Sequence, residues 1–313
     1  MISAKEVRTM IQYNRPNPED KERYDRFFLD TPERGCEYSF TNVSIWGRQK
    51  YAFVEGFLTI LAQFDRRCVY PFPVGNGDVK PVLDAIIHDA RARGIPCCLT
   101  GLRPQDRETL ERLYPGVFRF HEDRDGFDYV YSIDDLAELK GRKFQKKRNH
   151  LNRFLENYPD HQLLPLDENT LGPVKEMLAQ WFETRKNTEP HNDFHLEMVA
   201  LDRAFANMKA LQLEGLVLVD GGRVLAFTMG SRLNRDTFDI HFEKALEDVD
   251  GAYPAINRGF SRYLREKYPE IRWLNREDDI GLEGLRKAKL SYNPDRLIDK
   301  YWARLWETED ERC

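Results

Sequence analysis

LEGLVLVDGGRVLAFTMGSRL, residues 213–233, holds two apolar runs around Asp220, Gly221 and Gly222. An Asp followed by paired glycines supplies the positive backbone angles of a tight hairpin turn, so the stretch reads as two antiparallel strands. The residues after this hairpin keep a regular order: DTFDIHFEKA (236–245) as a strand, YPAINRGFSRYLREK (253–267) as a helix, IRWLN (271–275) as a strand and GLEGLRKAKL (281–290) as a last helix. The same order occurs upstream. YAFVEGFLTILAQF (51–64) is a hairpin about Glu55 and Gly56, and CVYPFPVG (68–75) adds a strand. VKPVLDAIIHDARARG (79–94) places Val82, Leu83, Ile86, Ile87 and Ala90 on one helical face and stops at Gly94. PCCLTGL (96–102) is a short buried strand, PQDRETLERLYPG (104–116) a helix, and FRFHEDRDGFDYVYSI (118–133) a closing hairpin. Helices at roughly 135–158, 170–187 and 194–211 preface the second half.

Strand, helix, strand, helix, strand thus appears twice, which predicts an α+β protein of two similar units, with separate α+β domains as the fallback. A length of 313 residues also favours two cores over one. The boundary is expected after the first unit's last strand, giving domains at 1–134 and 135–313 with a cleft between them.

Composition narrows the function classes. A net charge of −5 disfavours a globally basic nucleic-acid binder and leaves room for a local basic patch. No apolar run reaches the length of a membrane helix and the N-terminus lacks a signal-peptide layout, so a cytoplasmic protein is expected. Cys36, Cys68, Cys97, Cys98 and Cys313 are odd in number and form no CxxC, which predicts reduced thiols and no metal knuckle. His191 and His195 are spaced as helical ligands but lack a third partner, so no metal is expected. No nucleophile elbow or Walker loop supports a hydrolase or kinase.

Two segments concentrate polar chemistry. From Lys140 to Arg153 there are seven Lys or Arg residues, His150 and no acid. On a helical wheel Phe144, Leu151, Leu155 and Tyr158 share one face, and Arg142, Lys143, Lys146, His150 and Arg153 lie opposite as a ridge suited to phosphates. Lys147 and Arg148 flank the stripe and can point inward. The alternative is a solvated face, against which the lack of acids argues. The second segment, WLNREDDIGLEGLRKAKLSYNPDRLIDKY (273–301), joins Arg276, Glu277, Asp278 and Asp279 to Arg286, Lys287 and Lys289 across a glycine-containing loop, a density suited to an anionic or acyl substrate. Its structural alternative is a helix capped by Asp279 with a Glu283–Lys287 ion pair.

Leu285, Arg286, Lys289, Tyr292, Asn293, Pro294, Lys300 and Tyr301 resemble the end of the phosphatidylglycerol lysyltransferase C-terminal domain family. The similarity extends through HFEKALEDVDGAYPAINRGFSRYL (241–264) and the basic segment, nearly the whole chain. It implies tandem acetyltransferase-like (GNAT-like) domains, each a mixed sheet with flanking helices, and transfer of an aminoacyl group from tRNA. The basic segment also resembles the helix that opens the second unit of Fem-type aminoacyltransferases. The chain departs from the lipid-modifying members at Ser291, where they usually carry a second Lys, which leaves lipid as acceptor open.

A conventional acetyl-CoA enzyme of that class holds the pyrophosphate in a glycine-rich loop at a helix N-terminus. Here that loop has Gly251 and three acids, Glu247, Asp248 and Asp250, which favours an aminoacyl-tRNA donor over acyl-CoA. Transfer of an activated acyl group needs orientation, a base and a cation for the oxyanion. The resemblance assigns the oxyanion to Lys289. Glu243 or Asp278 takes the proton, and Arg276, Arg286, Tyr253, Asn257 and His241 bind substrate. Arg142, Lys143, Lys146, Lys147 and Arg148 face tRNA phosphates. Lys289 instead pairing with an acid to hold the loop is the structural alternative.

The expectation is therefore a soluble acyl- or aminoacyltransferase without a cofactor, acting on an amine or hydroxyl of a lipid-like or small molecule. An acyl-CoA-dependent N-acyltransferase and a non-catalytic RNA- or metabolite-binding module are the alternatives.

Overall fold

The computed structural model describes residues 10–27, 29–31, 34–64, 67–188 and 194–306. The expected His191 lies outside them, as does Cys313. The chain forms two compact units, one from Met1–Arg124 with Asp299–Cys313 and the other from Asp125–Ile298.

The first unit has a seven-stranded sheet. Its meander runs Lys50–Val54, Phe57–Phe64 and Arg67–Pro71, followed by helix Lys80–Arg93, strand Cys98–Leu102, helix Pro104–Leu113 and strand Phe118–Glu122. Arg67–Pro71 and Cys98–Leu102 pair in parallel, as a strand–helix–strand crossover requires. Val82, Leu83, Ile86 and Ala90 of the helix pack into one core with Tyr70, Leu99 and Leu110.

The second unit repeats this plan. Gln162–Pro165, Glu214–Asp220, Arg223–Arg232 and Thr237–Ala245 form the meander, helix Ala252–Lys267 follows, and Trp273–Asn275 pairs in parallel with Thr237–Ala245. Gly221 and Gly222 take φ of 54° and 82°, the turn anticipated from DGG. The described helices here are Ile133–Glu138, Gln145–Asn157, Glu168–Thr188, His195–Ala206, Ala252–Lys267 and Glu283–Leu290.

Each sheet contains a strand distant in sequence from its neighbours. In the first sheet the place between Cys98–Leu102 and Phe118–Glu122 is filled by Tyr301–Leu305, antiparallel to both. The equivalent place in the second sheet, between Trp273–Asn275 and Arg296–Ile298, is filled by Asp128–Ser132. The division therefore falls at 124/125, ten residues before the expected 134/135. The strand read as closing the first unit hydrogen-bonds in the second sheet, and Ala303 and Leu305 complete the first core.

The basic helix also differs from the wheel. Phe144, Leu151 and Phe154 are buried, whereas Leu155 is 39% exposed. Phe154 stacks on Tyr158 at 5.0 Å and sits against Gly251, where an added Cβ would lie 2.8 Å from its own and 2.3 Å from the His150 carbonyl oxygen. Gly251, at φ 83°, is what lets the start of helix Ala252–Lys267 approach this helix.

Candidate functional site

The second unit brings Lys147, Glu243, Asn257, Arg276 and Tyr292 together. Glu243 lies on the central strand Thr237–Ala245, and Arg276 directly follows the parallel neighbour Trp273–Asn275. The parallel register sets Asn275 beside Asp239, so Arg276 follows alongside the part of the central strand that leads to Glu243. The Arg276 Nη2 donates to Glu243 Oε1 at 2.7 Å, with side-chain exposures of 13% and 7%. Asn257, one turn into helix Ala252–Lys267, donates Nδ2 to Glu243 Oε2 at 3.1 Å. Both carboxylate oxygens are thereby engaged. The guanidinium lies 4.9 Å from the Tyr292 ring centre and 5.6 Å from that of Tyr131, and the Lys147 ammonium lies 3.8 Å from the Tyr292 ring centre.

Three buried polar atoms in this cluster have no hydrogen-bond partner among the described residues: Asn257 Oδ1, Arg276 Nη1 and Tyr292 Oη. Buried groups are rarely left unpaired, because desolvation without a bond costs roughly 1–3 kcal/mol each. They offer one acceptor and two donors. Burial raises the Tyr131, Tyr253 and Tyr292 phenols above their ordinary range, so these rings are neutral donors. Half-burial and then the neighbouring Arg276 charge lower the Lys147 ammonium to about 8.

The other expected residues have different surroundings. Lys289 is 8% exposed, and its ammonium donates to the backbone carbonyls of Arg276 and Asp278. It holds the loop that presents Arg276, through carbonyls instead of the expected acid, and burial lowers its pKa. Arg286 forms a fork to the buried Asp279 (2.9 and 2.8 Å) and reaches Asp125 at 2.6 Å. Those bonds, the Tyr129 hydroxyl and the Gly281 amide hold Asp279 near 2 despite its burial. Asp279 therefore braces this loop from inside, and Leu282 takes the N-cap position ahead of Glu283–Leu290.

His241 shares a face of its strand with Asp239. Its Nε2 meets Ser231 Oγ at 2.8 Å, and its Nδ1 meets Glu277 Oε1 at 3.1 Å. Ligand atoms of Asp239, His241 and Glu277 lie within 4.8 Å of one another, the group in this unit with the spacing to hold a cation.

In the basic segment Arg142 and Lys146 are exposed, Lys143 pairs with Asp135 at 2.6 Å, and Arg148 donates to the carbonyls of Leu139 and Gly141. Arg148 thus secures the turn entering the helix. His150 and Arg153 pair with Asp250 at 2.7 and 3.1 Å, while Glu247 pairs with Arg185 and Asp248 with Arg223. Every acid of the loop before helix Ala252–Lys267 carries a cationic partner.

Sequence reasoning singled out Glu243, Tyr253, Asn257, Arg276 and Lys147 but gave no role to Tyr131 or Tyr292. Tyrosines on a strand and after a helix read as core. The one sequence signal for Tyr292 is its place in Ser-Tyr-Asn-Pro directly after the basic closing helix.

Two mixed sheets built on one repeated plan are the architecture of tandem GNAT-like proteins, the fold of acyl- and aminoacyltransferases. A tandem GNAT protein from the clavulanic acid biosynthesis pathway superposes with a TM-score of 0.50 at 12% identity, covering 95% of this chain and 98% of that one. Residues 29–304 match the family described as phosphatidylglycerol lysyltransferase, C-terminal, and the chain belongs to that family. It is similar to a conserved protein of unknown function from Bacteroides thetaiotaomicron, with 38% identity, TM-score 0.89 and coverage of 95% of this chain and 100% of that one. The L-PGS of Bacillus licheniformis has the same fold, at 15% identity and TM-score 0.66 with 93% of each chain covered. An uncharacterized protein of Mycoplasmoides gallisepticum is 27% identical over 182 residues, 57% of this chain, and the chain spans about half (56%) of that relative's length. No helix among the described residues is long and apolar enough to cross a membrane.

Proposed function

We propose that the chain is an aminoacyltransferase that moves an aminoacyl group from aminoacyl-tRNA to an amine or hydroxyl acceptor at the Glu243–Arg276 centre. The observation that carries this reading is the set of unpaired buried atoms. Asn257 Oδ1, backed by the Glu243 carboxylate, is an acceptor for an α-ammonium, and Arg276 Nη1 with Tyr292 Oη are donors for an ester carbonyl. Such donors strengthen as negative charge develops on that oxygen, which is what an acyl-transfer transition state requires. Lys289 acts in this reading as a positioning residue, fixing the carbonyls on either side of Glu277 so that Arg276 stays aimed.

Acyl-CoA is the second donor to consider, and the loop before helix Ala252–Lys267 argues against it. Its Asp250 carboxylate is held by His150 and Arg153, and the backbone of Gly251 is pressed against the His150 carbonyl. An anionic pyrophosphate would have to displace both. On the ridge, Arg142 and Lys146 are the exposed cations for tRNA phosphates, with Lys143 available once Asp135 releases it. A non-catalytic RNA- or metabolite-binding module would use the same ridge without turnover.

Thermal-shift titration with a stable 3′-aminoacyl-amide adenosine, total charged tRNA and CoA separates the readings. The aminoacyl adenosine and charged tRNA should raise Tm, and Arg276→Met should abolish the nucleoside effect. Stabilisation by CoA alone overturns the proposal, and binding of uncharged and charged tRNA alike without acyl transfer favours the binding module.

A further inference from the structure

Glu243, one of the two expected proton acceptors, has both carboxylate oxygens engaged, one accepting from Arg276 and the other from Asn257. Another group must take the proton released when the acceptor attacks. Lys147 leaves the exposed ridge of its helix and places its Nζ over the Tyr292 ring at 3.8 Å. The groups facing it from other elements are Arg276, Glu243 and Tyr292. On its own segment Lys143 is committed to Asp135 and Arg148 to backbone carbonyls, while Lys146 is exposed. Among the described residues no carboxylate lies within ion-pair distance of Lys147. Its amine packs on the Tyr292 ring near Arg276 and forms no ion pair among the described residues, in a cluster where Arg276 Nη1 and Tyr292 Oη are unpaired.

We infer that Lys147 is the general base of the transfer, accepting the proton of the acceptor amine or hydroxyl as that nucleophile attacks the acyl carbonyl carbon. The role rests on the aminoacyl-transfer reading of the site. The nucleophile forms a new bond to the carbonyl carbon, and its proton passes to the neutral Lys147 Nζ. The tetrahedral oxyanion is held by Arg276 Nη1 and Tyr292 Oη. As the carbonyl re-forms, the bond to the ribose 3′-oxygen breaks and that oxygen takes the proton back from the Lys147 ammonium, leaving acyl acceptor, deacylated tRNA and unchanged enzyme. No other reactant is needed. An amine titrating at about 8 is partly neutral at neutral pH, as a base for this step must be.

The test pairs a substrate-free measurement with kinetics on the full chain. Competitive trace labelling with acetic anhydride between pH 6 and 11, read on the Lys147 peptide by mass spectrometry, should give an apparent pKa near 8, against about 10.4 for an ordinary lysine. Titration near the ordinary value overturns the role. In the kinetic arm, radiolabelled charged tRNA is supplied with a cell-extracted pool of amine and hydroxyl acceptors. Lys147→Met should lower kcat by about a hundredfold or more with little change in KM and remove the acidic limb of the pH–rate profile. Lys147→Arg, which keeps the cation but cannot deprotonate, should not rescue. A Lys147→Met enzyme whose KM alone rises, or whose kcat survives, overturns the base role and leaves the transferase reading standing. Absence of turnover by the unmodified protein with every charged tRNA overturns both.

Discussion

The buried Glu243–Arg276 pair gives a quantitative test of the centre. Arg276→Met removes the cation and leaves Glu243 with a single carboxamide donor in a site only 7% exposed, and Glu243→Met leaves the guanidinium unpaired beside Lys147. Breaking one side of a buried pair costs about 3–5 kcal/mol, because the partner's desolvation is no longer offset. Removing both sides is far less costly, since no buried charge remains. Each single variant should therefore unfold at markedly lower urea, and the double variant should be no less stable than either single one, a coupling of at least one single loss, about 3–5 kcal/mol. At roughly 2–4 °C per kcal/mol for a unit of this size, the singles should lose about 6–20 °C in Tm. Urea unfolding of the full chain, followed by tryptophan fluorescence and far-UV circular dichroism, measures the cycle. Additive losses would show that the two side chains are not coupled and would remove the scaffold on which the acyl pocket is built.

Gly251→Ala should destabilise by about 1–3 kcal/mol in the same assay, since the new Cβ would meet the His150 carbonyl at 2.3 Å from a left-handed backbone; an unchanged urea midpoint refutes the close approach. Asp279 has a folded pKa depressed to about 2, so its contribution is fully present above its unfolded value near 4 and is lost as pH falls from there through 2; it amounts to at most about 2 kcal/mol. Asp279→Asn should flatten the stability profile between pH 4 and 2, and an identical acid slope in the variant contradicts the assignment. Replacing Arg142, Lys143 and Lys146 together with Glu should abolish binding of tRNA at moderate salt and leave the fold intact, since exposed reversals shift stability by under about 0.5 kcal/mol each. Binding that survives, measured by filter retention, makes the ridge a solubilising face.

Hairpins and helices were legible where local chemistry decides them. Asp220-Gly221-Gly222 and Glu55-Gly56 carry the positive φ angles of their turns, and Gly94 ends its helix in the left-handed conformation. The domain boundary was not legible, because nothing local distinguishes a strand that pairs with its predecessor from one that pairs 140 residues on, as Tyr131 does with Leu274. Leu155 and Phe154 exchanged burial for a similar reason, since tertiary contacts with Gly251, Tyr158 and His161 select Phe154. In the site, the charged residues stood out by type, but their pairing did not. Arg286 and Lys289 are as conspicuous in the sequence as Arg276, yet their bonds go to Asp279 and to backbone carbonyls. The two tyrosines around Arg276 looked like core residues, which by burial they are.

The late position of Tyr301–Leu305 in the chain bears on how the protein is made. During synthesis Phe118–Glu122 leaves the ribosome roughly 180 residues before Tyr301–Leu305, a lag on the order of 10–40 s at ordinary elongation rates. Through that interval Cys98–Leu102 and Phe118–Glu122 lack the strand that joins them, and their backbone amides and carbonyls form open edges that another nascent chain can capture. The first-made half is therefore the last to be completed. A chain whose synthesis stops between Glu122 and Tyr301 keeps those edges exposed, the form that chaperones and proteases intercept.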